Sequence, residues 1–321
     1  MGFAGAMVVA MAMDALLGWP APLFARIGHP VTWLGRLIAV IDTAWNRASD
    51  PPWFRRAAGV AGALLVIAVS VALGWMLQSM VSLGWIQIVL VGVLAWPLVA
   101  LRSLHDHVAA VAKPLKAGDI AAAREAVSRI VGRDPAALDE AGIARAAIES
   151  LAENASDGIV APVFWGALFG LPGIFGYKAI NTLDSMIGHR SDRHQAFGWA
   201  AARIDDVLNL VPARLTALSY ALLGATAQAL RCWRMQAAAW SSPNAGPVMA
   251  AGAGAVGVAL GGGARYHGEW EERPPLGTGD APRAAHVRAC LRLVQRTLWL
   301  WLGVAMLSVP LVSMASSVWP A

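Results

Sequence analysis

Four apolar runs, residues 1–18, 57–77, 81–101 and 297–319, set the terms on which this chain can fold. Each approaches the roughly 20 residues that a helix needs to cross a bilayer. Inside hydrocarbon every backbone N–H and C=O must be paired within the protein, which restricts what can span. Charge is scarce as well. Only 14% of the 321 residues are Asp, Glu, Lys or Arg, against about 25% in soluble domains, and mean hydropathy is +0.55. Two further stretches, 215–230 and 248–260, are apolar but short and would need neighbouring helices to help them across. The expectation is an all-α, multi-pass integral membrane protein.

The first run holds no basic residue before Arg26. A secretory leader needs a positive segment and a small-residue cleavage site, so this run is expected to remain as an anchor. The formal net charge of +5 is spread along loops that flank apolar runs. It forms no basic stripe with interleaved aromatics, which argues against nucleic acid as a partner. Arg26, Arg36, Arg47, Arg55 and Arg56 lie between the first two runs, whereas the turn at 78–80 has no base. By the positive-inside rule the first loop and the chain after residue 101 face the cytoplasm, and the amino terminus lies outside. Cys232 and Cys290 lack metal-type spacing and read as packing thiols.

Three parts are expected: membrane helices over 1–101, a cytoplasmic helical insert over 102–158, and C-terminal membrane helices with polar loops over 159–321. In the insert, Asp119 can cap a helix over 120–131, and Asp134 with Pro135 can begin a second that runs through Glu153. Residues 159–180 are apolar but broken by Gly and Pro. A re-entrant or broken helix there would keep the polar blocks on either side at one face.

Polar residues gather in two blocks. Arg145, Glu149, Glu153 and Asp157 recur every four residues and share a face if helical geometry persists to Gly158. A solvated salt-bridge ladder has the same spacing. Three successive acids beside an apolar boundary, however, repel one another, and they suit a hard cation, with Asn154 and Ser156 as further oxygen donors. The second block places Lys178, Asn181, Asp184 and Ser185 three or four apart. His189, Arg190, Asp192, Arg193 and His194 follow at a turn, and then Arg203, Asp205, Asp206 and Asn209. Mixed cations and carboxylates are what a phosphate-plus-metal site requires, although a structural network would share the pattern. Asn244 lies in a polar turn before an expected helix start at Pro247, where free amides favour an anion; an ordinary capped turn fits as well. Asp14, inside the first run, is expected to face protein or a polar cavity. Arg288, Arg292 and Arg296 form a row expected to lie against anionic lipid.

Taken in order, "HPVTWLGRLI", "GRDPAALDEAGIARAAIESLAENASDGIVAPVFWGALFGLPG", "YKAINTLDSMIGHR", "FGWAAARIDDVLNLVPARLTAL" and "SPNAGPVMAAGAGAVGVALGG", followed by Tyr266, Gly268 and Leu276, resemble the CobD/CbiB adenosylcobinamide-phosphate synthases of cobalamin biosynthesis. The match covers most of the chain. The sequence departs from the pattern at His189, where Tyr is expected, at Pro135, where Thr is usual, and at Trp19, where Asp commonly precedes Pro20.

The resemblance implies a membrane enzyme that uses ATP and Mg2+ to join aminopropanol phosphate, or aminopropanol, to a carboxylate of adenosylcobyric acid. Other proteins of the pathway are implied as partners. On that basis Glu149, Glu153, Asp157, Asp184 and Asp205 are metal candidates. Lys178, Arg190, Arg193, Asn154 and Asn244 are candidates for substrate or phosphate binding, and Asp206, His194 and Asn181 for catalysis. Phe164, Trp165 and Trp199 could form an apolar shelf for the corrin. A corrinoid permease and a non-catalytic scaffold or sensor of the same fold are the alternatives. A permease would usually carry its polar residues within the spans and in two symmetric halves.

Overall fold

The computed structural model describes residues 3–81, 85–132, 134–189, 191–266 and 269–318, with backbone alone at 137, 265, 266, 269 and 307–318. The first helices are α1 (Ala4–Leu17), α2 (Ala21–Ile27), α3 (Pro30–Trp45), α4 (Pro52–Ser79), α5 (Trp85–Ala95), α6 (Leu101–Ala117) and α7 (Ile120–Ser128). Next come α8 (Glu140–Ala155), α9 (Ala161–Phe169), α10 (Leu171–Ile187), α11 (Trp199–Leu208), α12 (Leu210–Leu223), α13 (Thr226–Gln236) and α14 (Ala245–Val256). Four three-residue strands, β1 (Ala259–Gly261), β2 (Ala264–Tyr266), β3 (Glu269–Glu271) and β4 (Pro275–Gly277), precede α15 (Ala284–Val318). β1 pairs antiparallel with β4, and β2 with β3. These short ladders are the one addition to the all-α expectation.

Among the described residues, two helical stretches are long and apolar enough to span a membrane: Pro52–Ser79 and Trp85–Ala117, with mean hydropathy of 2.4 and 1.8 over 18 residues. The first expected span differs in form. Ala4–Leu17 ends at Gly18, and the chain bends by 104° into Ala21–Trp45; counted as one broken span, the pair makes three. Trp96 Nε1 donates to the Gly18 carbonyl at 3.1 Å and Trp19 Nε1 to that of Gly28 at 3.1 Å, so indoles pin the bend. Trp19, the departure from the family pattern, therefore has a local structural partner.

Two compact units divide the chain: Met1–Ala100 with Ala161–Asn209 and Val304–Ala321, and Leu101–Val160 with Leu210–Gly303. In the first unit α4 turns two different faces to its surroundings. Gly59, Gly62, Ala63, Val66, Ser70 and Gly74 are buried, whereas Leu64, Leu65, Val69, Leu73 and Trp75 are exposed. Small side chains let backbones approach closely, which is how helices associate in lipid. Accordingly a Cβ added at Gly74 would lie 2.7 Å from the Leu171 carbonyl oxygen at the start of α10, and one at Gly59 would collide with the Phe197 carbonyl oxygen. The exposed aliphatic face has no use in water but suits hydrocarbon.

The expected break within 159–180 is present. α9 has nine residues, about 14 Å at 1.5 Å per residue, too short for a bilayer core of about 30 Å. Gly170 (φ +68°) ends it, with the Gln78 side-chain oxygen packed where a Cβ would point. An added Cβ at Gly166 would meet Ile174, and one at Gly173 the Trp165 carbonyl, so α10 folds back along α9 as a helical hairpin.

In the second unit the core is drawn from α6, α7, α8, α12, α13, α14 and the first turns of α15. α14 is buried from Ala245 to Ala255 and stops at Gly257, whose φ is +73°. The apolar stretch at 248–260 is thus a core helix followed by β1. The stretch at 215–230 is also not one helix. It breaks at Gly224, against which Ala255 packs so closely that a Cβ would lie 2.6 Å from that of Ala255. Asp119 caps α7 by accepting the Ala122 N–H at 3.0 Å, as the sequence indicates. The second insert helix starts later than expected, because Asp134 caps only a 3-10 turn at Pro135–Ala137 and Asp139 caps α8 through the Gly142 N–H at 2.7 Å. Cys232 and Cys290 are both buried and free.

Gly59→Ala is expected to lower thermal stability in detergent by about 1–3 kcal/mol, because the collision is with backbone. Gly132→Ala, whose added carbon meets nothing within 4 Å, is the matched control and should change the melting curve little.

Candidate active site

Two turns of α10 and the whole of α11 supply a polar cluster in the first unit. On α10, Lys178 Nζ lies 3.4 Å from Asn181 Oδ1, and Asp184 follows one turn later. Opposite them, Asp205 is 8% exposed. Its Oδ2 accepts Asn209 Nδ2 at 2.9 Å, and Asn209 Oδ1 in turn accepts the buried Tyr177 hydroxyl at 2.9 Å. The other carboxylate oxygen, Oδ1, is buried and has no hydrogen-bond partner among the described residues. A buried acceptor left unpaired costs roughly 1–3 kcal/mol, so such an atom calls for an explanation.

The electrostatics agree with the geometry. Burial first, and then the Asp184 carboxylate nearby, push the Asp205 carboxyl up to about 7, although Asn209 and Asn181 stabilise its charged form. Burial raises Asp184 too; His189 opposes this and Asp206 adds to it. Asp206 is more exposed and pairs with Arg203 at 3.2 Å. These acids lie outside the helices that qualify as membrane spans. Lys178 is also within electrostatic reach of His29, at the head of α3, where His29 and Thr32 form a reciprocal cap.

The turn between α10 and α11 is clamped from below. Arg193 donates to Asp42 Oδ2 at 2.8 and 3.1 Å, and His194 Nε2 lies 3.4 Å from the same oxygen. Asn46 Nδ2 donates to Asp42 at 2.7 Å and to the Arg193 carbonyl at 3.0 Å, while Arg55 reaches both Asn46 Oδ1 and the Arg193 carbonyl. Arg193 and His194 are therefore held by a carboxylate about 150 residues earlier. Arg190 lies outside the described residues.

Glu149 and Glu153 stand one turn apart on α8, but α-helical geometry does not persist to Asp157. A π-helical turn at Ser156–Val160 widens the helix and takes Asp157 out of phase; such turns recur at functional sites. Glu149 is buried and spoken for. Its Oε1 accepts the Gly261 N–H at 2.9 Å and its Oε2 accepts Arg273 Nη1 at 3.1 Å, while Arg273 Nε donates to the Gly262 carbonyl at 3.1 Å. The expected neighbour, Arg145, instead has a buried Nε with no hydrogen-bond partner among the described residues. Glu153 is half-buried, and Asp157 lies within electrostatic reach of Tyr220. Asn154 is exposed and donates to the Ser150 carbonyl at 2.9 Å. Asn244 is buried and accepts Arg214 Nη1 at 2.7 Å. The helix after it begins at Ala245, not Pro247, and Ser242 Oγ caps it by accepting the Ala245 N–H at 3.1 Å.

Among the described residues, no three His, Cys, Asp or Glu side chains come together to hold a metal. That rules against an all-protein cage but not against magnesium, which is commonly held by one or two carboxylates with water and phosphate oxygens. Asp184 and Asp205, with one buried oxygen unpaired, fit that smaller donor set.

Comparison with known proteins decides the family. The CobD/Cbib protein family model matches residues 7–294. The chain belongs to the CobD/Cbib family. It is 55% identical over 300 residues to the cobalamin biosynthesis protein CobD of Rhodobacter capsulatus, covering 93% of this chain and 95% of that one. It is 47% identical over 307 residues to the protein of the same name from Chromobacterium violaceum, covering 95% and 96%. The corresponding protein of Stutzerimonas stutzeri is 48% identical over 295 residues, covering 92% and 94%. No solved structure matches the chain.

Reading the sequence alone misses Asp42, Asn46, Arg55 and Arg273, whose partners are remote in the chain. It also misses the part that Tyr177 and Asn209 play in orienting Asp205. Asn209 stands four residues from Asp205 and Tyr177 four from Asn181, spacings that carry no signal of that relay.

Two measurements follow. Breaking one side of a buried ion pair costs about 3–5 kcal/mol, so Glu149→Ala should destabilise the protein more than Glu149→Ala combined with Arg273→Met, as read by chemical denaturation. For Asp205 the raised folded-state value means that the folded chain binds more protons than the unfolded chain between about pH 4 and 7. Its contribution to stability therefore falls as pH rises through that interval and levels off above it. Asp205→Asn should remove this fall, so that the variant gains on the wild type between pH 5 and 8 in thermal melts.

Proposed function

We propose that this chain forms an amide bond between a carboxylate of adenosylcobyric acid and aminopropanol phosphate or aminopropanol, driven by ATP. Family membership supports the pathway. The observation that carries the reaction type is the Asp184–Asp205 pair beside Lys178 and Asn181, with a desolvated carboxylate oxygen left unpaired.

The chemistry asks for such a cluster. A carboxylate and an amine do not condense in water, since oxide is a poor leaving group and the amine is protonated. Transfer of a phosphoryl group to the carboxylate supplies the leaving group, and catalysis of that transfer is mostly positioning and charge neutralisation. Asp184 and Asp205 would hold Mg2+, which neutralises phosphate charge when bound. Lys178 and Arg190 would meet phosphoryl oxygens, and Asn181 would orient the carboxyl or amide. Asp206, the more exposed acid, would take the proton that the amine loses as its nitrogen attacks. Arg193 and His194 shape the turn through Asp42, so in this reading they position the site.

Glu153, Asp157, Asn154 and Asn244 are assigned to cation and phosphate binding in the second unit, while Glu149 is assigned to holding the β1–β4 region. Of the aromatics proposed for the corrin, Trp199 is 40% exposed under Arg56, at 3.7 Å, whereas Trp165 donates to the Leu208 carbonyl and stacks on Phe169. Trp199 is the better shelf. The inner membrane, with the cluster on the cytoplasmic side, is the proposed location.

Purified protein given cobyric acid, ATP and Mg2+ with each amine separately should yield the amide, identified by mass spectrometry. Asp184→Asn should lower turnover about 100-fold or more, the usual loss for a group that stabilises charge in the transition state. Labelled-corrinoid counterflow in proteoliposomes without ATP use, and no amide, would favour a permease instead.

A further inference from the structure

The first five turns of α15 carry two stripes. Val287, Cys290, Leu293, Val294 and Thr297 are buried in the core of the second unit. On the outer side Arg288, Arg292 and Arg296 stand one turn apart, and the same three- and four-residue steps continue to Trp299, which is 65% exposed, then Gly303 and Met306, which is 52% exposed. One face of a single helix thus passes from guanidinium groups to an indole to aliphatic side chains. Arg288 to Arg296 covers about 12 Å along the axis, at 1.5 Å per residue.

Nothing within the protein explains the cationic part. None of the three arginines forms an ion pair among the described residues, and no Asp or Glu occurs anywhere between Ala284 and Val318. Like charges one turn apart destabilise a helix. Water alone would tolerate such a row but give it no advantage. An anionic surface would, and the order of the groups matches the layers of a membrane: Arg among headgroups, Trp at the interface and apolar side chains in hydrocarbon.

We propose that the Arg288–Arg292–Arg296 face of α15 is a binding surface for anionic phospholipid headgroups, with Trp299 seated at the level of the ester linkages. The lipid phosphates accept hydrogen bonds from the guanidinium groups and cancel the repulsion along the row. Because the opposite stripe belongs to the core of the second unit, lipid bound here stabilises that unit as well as anchoring it. Each Arg near an anionic surface strengthens association about five-fold, so the row acts as a set.

The test uses the full-length protein in neutral detergent. Phosphatidylglycerol, phosphatidylcholine or inorganic phosphate is titrated in, and thermal stability and lipid retention in native mass spectrometry are followed. Phosphatidylglycerol should raise the melting temperature and be retained. The triple variant Arg288→Gln, Arg292→Gln, Arg296→Gln should lose both effects, while Arg129→Gln, at the exposed residue that follows α7, keeps them. The triple Lys variant preserves charge and should keep most of the response, which separates lost binding from lost folding. Equal stabilisation by phosphatidylcholine, an equal response to inorganic phosphate, or an unchanged response in the triple Gln variant would each overturn the proposal.

Discussion

The close approach of α4 to α10 is the contact on which the first unit depends. Gly74 brings the α4 backbone against the Leu171 carbonyl at the start of α10, and Gly59 brings it against the Phe197 carbonyl just before α11. In lipid, where apolar side chains gain little by meeting one another, such fit and the hydrogen bonds it permits hold helices together. α10 carries Lys178, Asn181 and Asp184, and the turn leaving it carries Arg193 and His194. The position of the polar cluster is therefore set by a contact made of the smallest side chains in the chain.

Within each unit the charged groups sort by what satisfies them. Asp42 receives Arg193 and His194 on one oxygen and the nearby Asn46 amide on the other, and Glu149 receives Arg273 and the Gly261 amide; both carboxylates have both oxygens occupied. Asp205 differs. It too is buried, but while one oxygen accepts the Asn209 amide the other has no hydrogen-bond partner among the described residues, and a second carboxylate stands close by. A structural carboxylate is saturated, whereas one that must accept a cation or a substrate keeps an oxygen in reserve. That contrast is what the proposed site rests on.

Much of this was legible in the residues. The apolar runs at 57–77 and 81–101 gave candidate membrane helices, Asp119 gave a cap, and the broken composition of 159–180 gave an interrupted helix, since each is a local property. Periodicity could not separate α14 from a membrane span, because a helix buried in protein and one buried in lipid are both apolar all round. It also placed Asp157 on the face of Glu149, because nothing in "ENASDGIV" announces a π turn. Arg273 and Asp42 were invisible for another reason. A salt bridge across 124 or 151 residues leaves no spacing to read.

The staple between Glu149 and Arg273 also bears on biogenesis. Its two halves lie 124 residues apart in the chain, and the first half is synthesised well before the second. Until residue 273 has been made, the guanidinium that meets Glu149 Oε2 in the folded protein is not there to meet it. A chain that stops short of that arginine keeps one side of a buried ion pair and lacks the other.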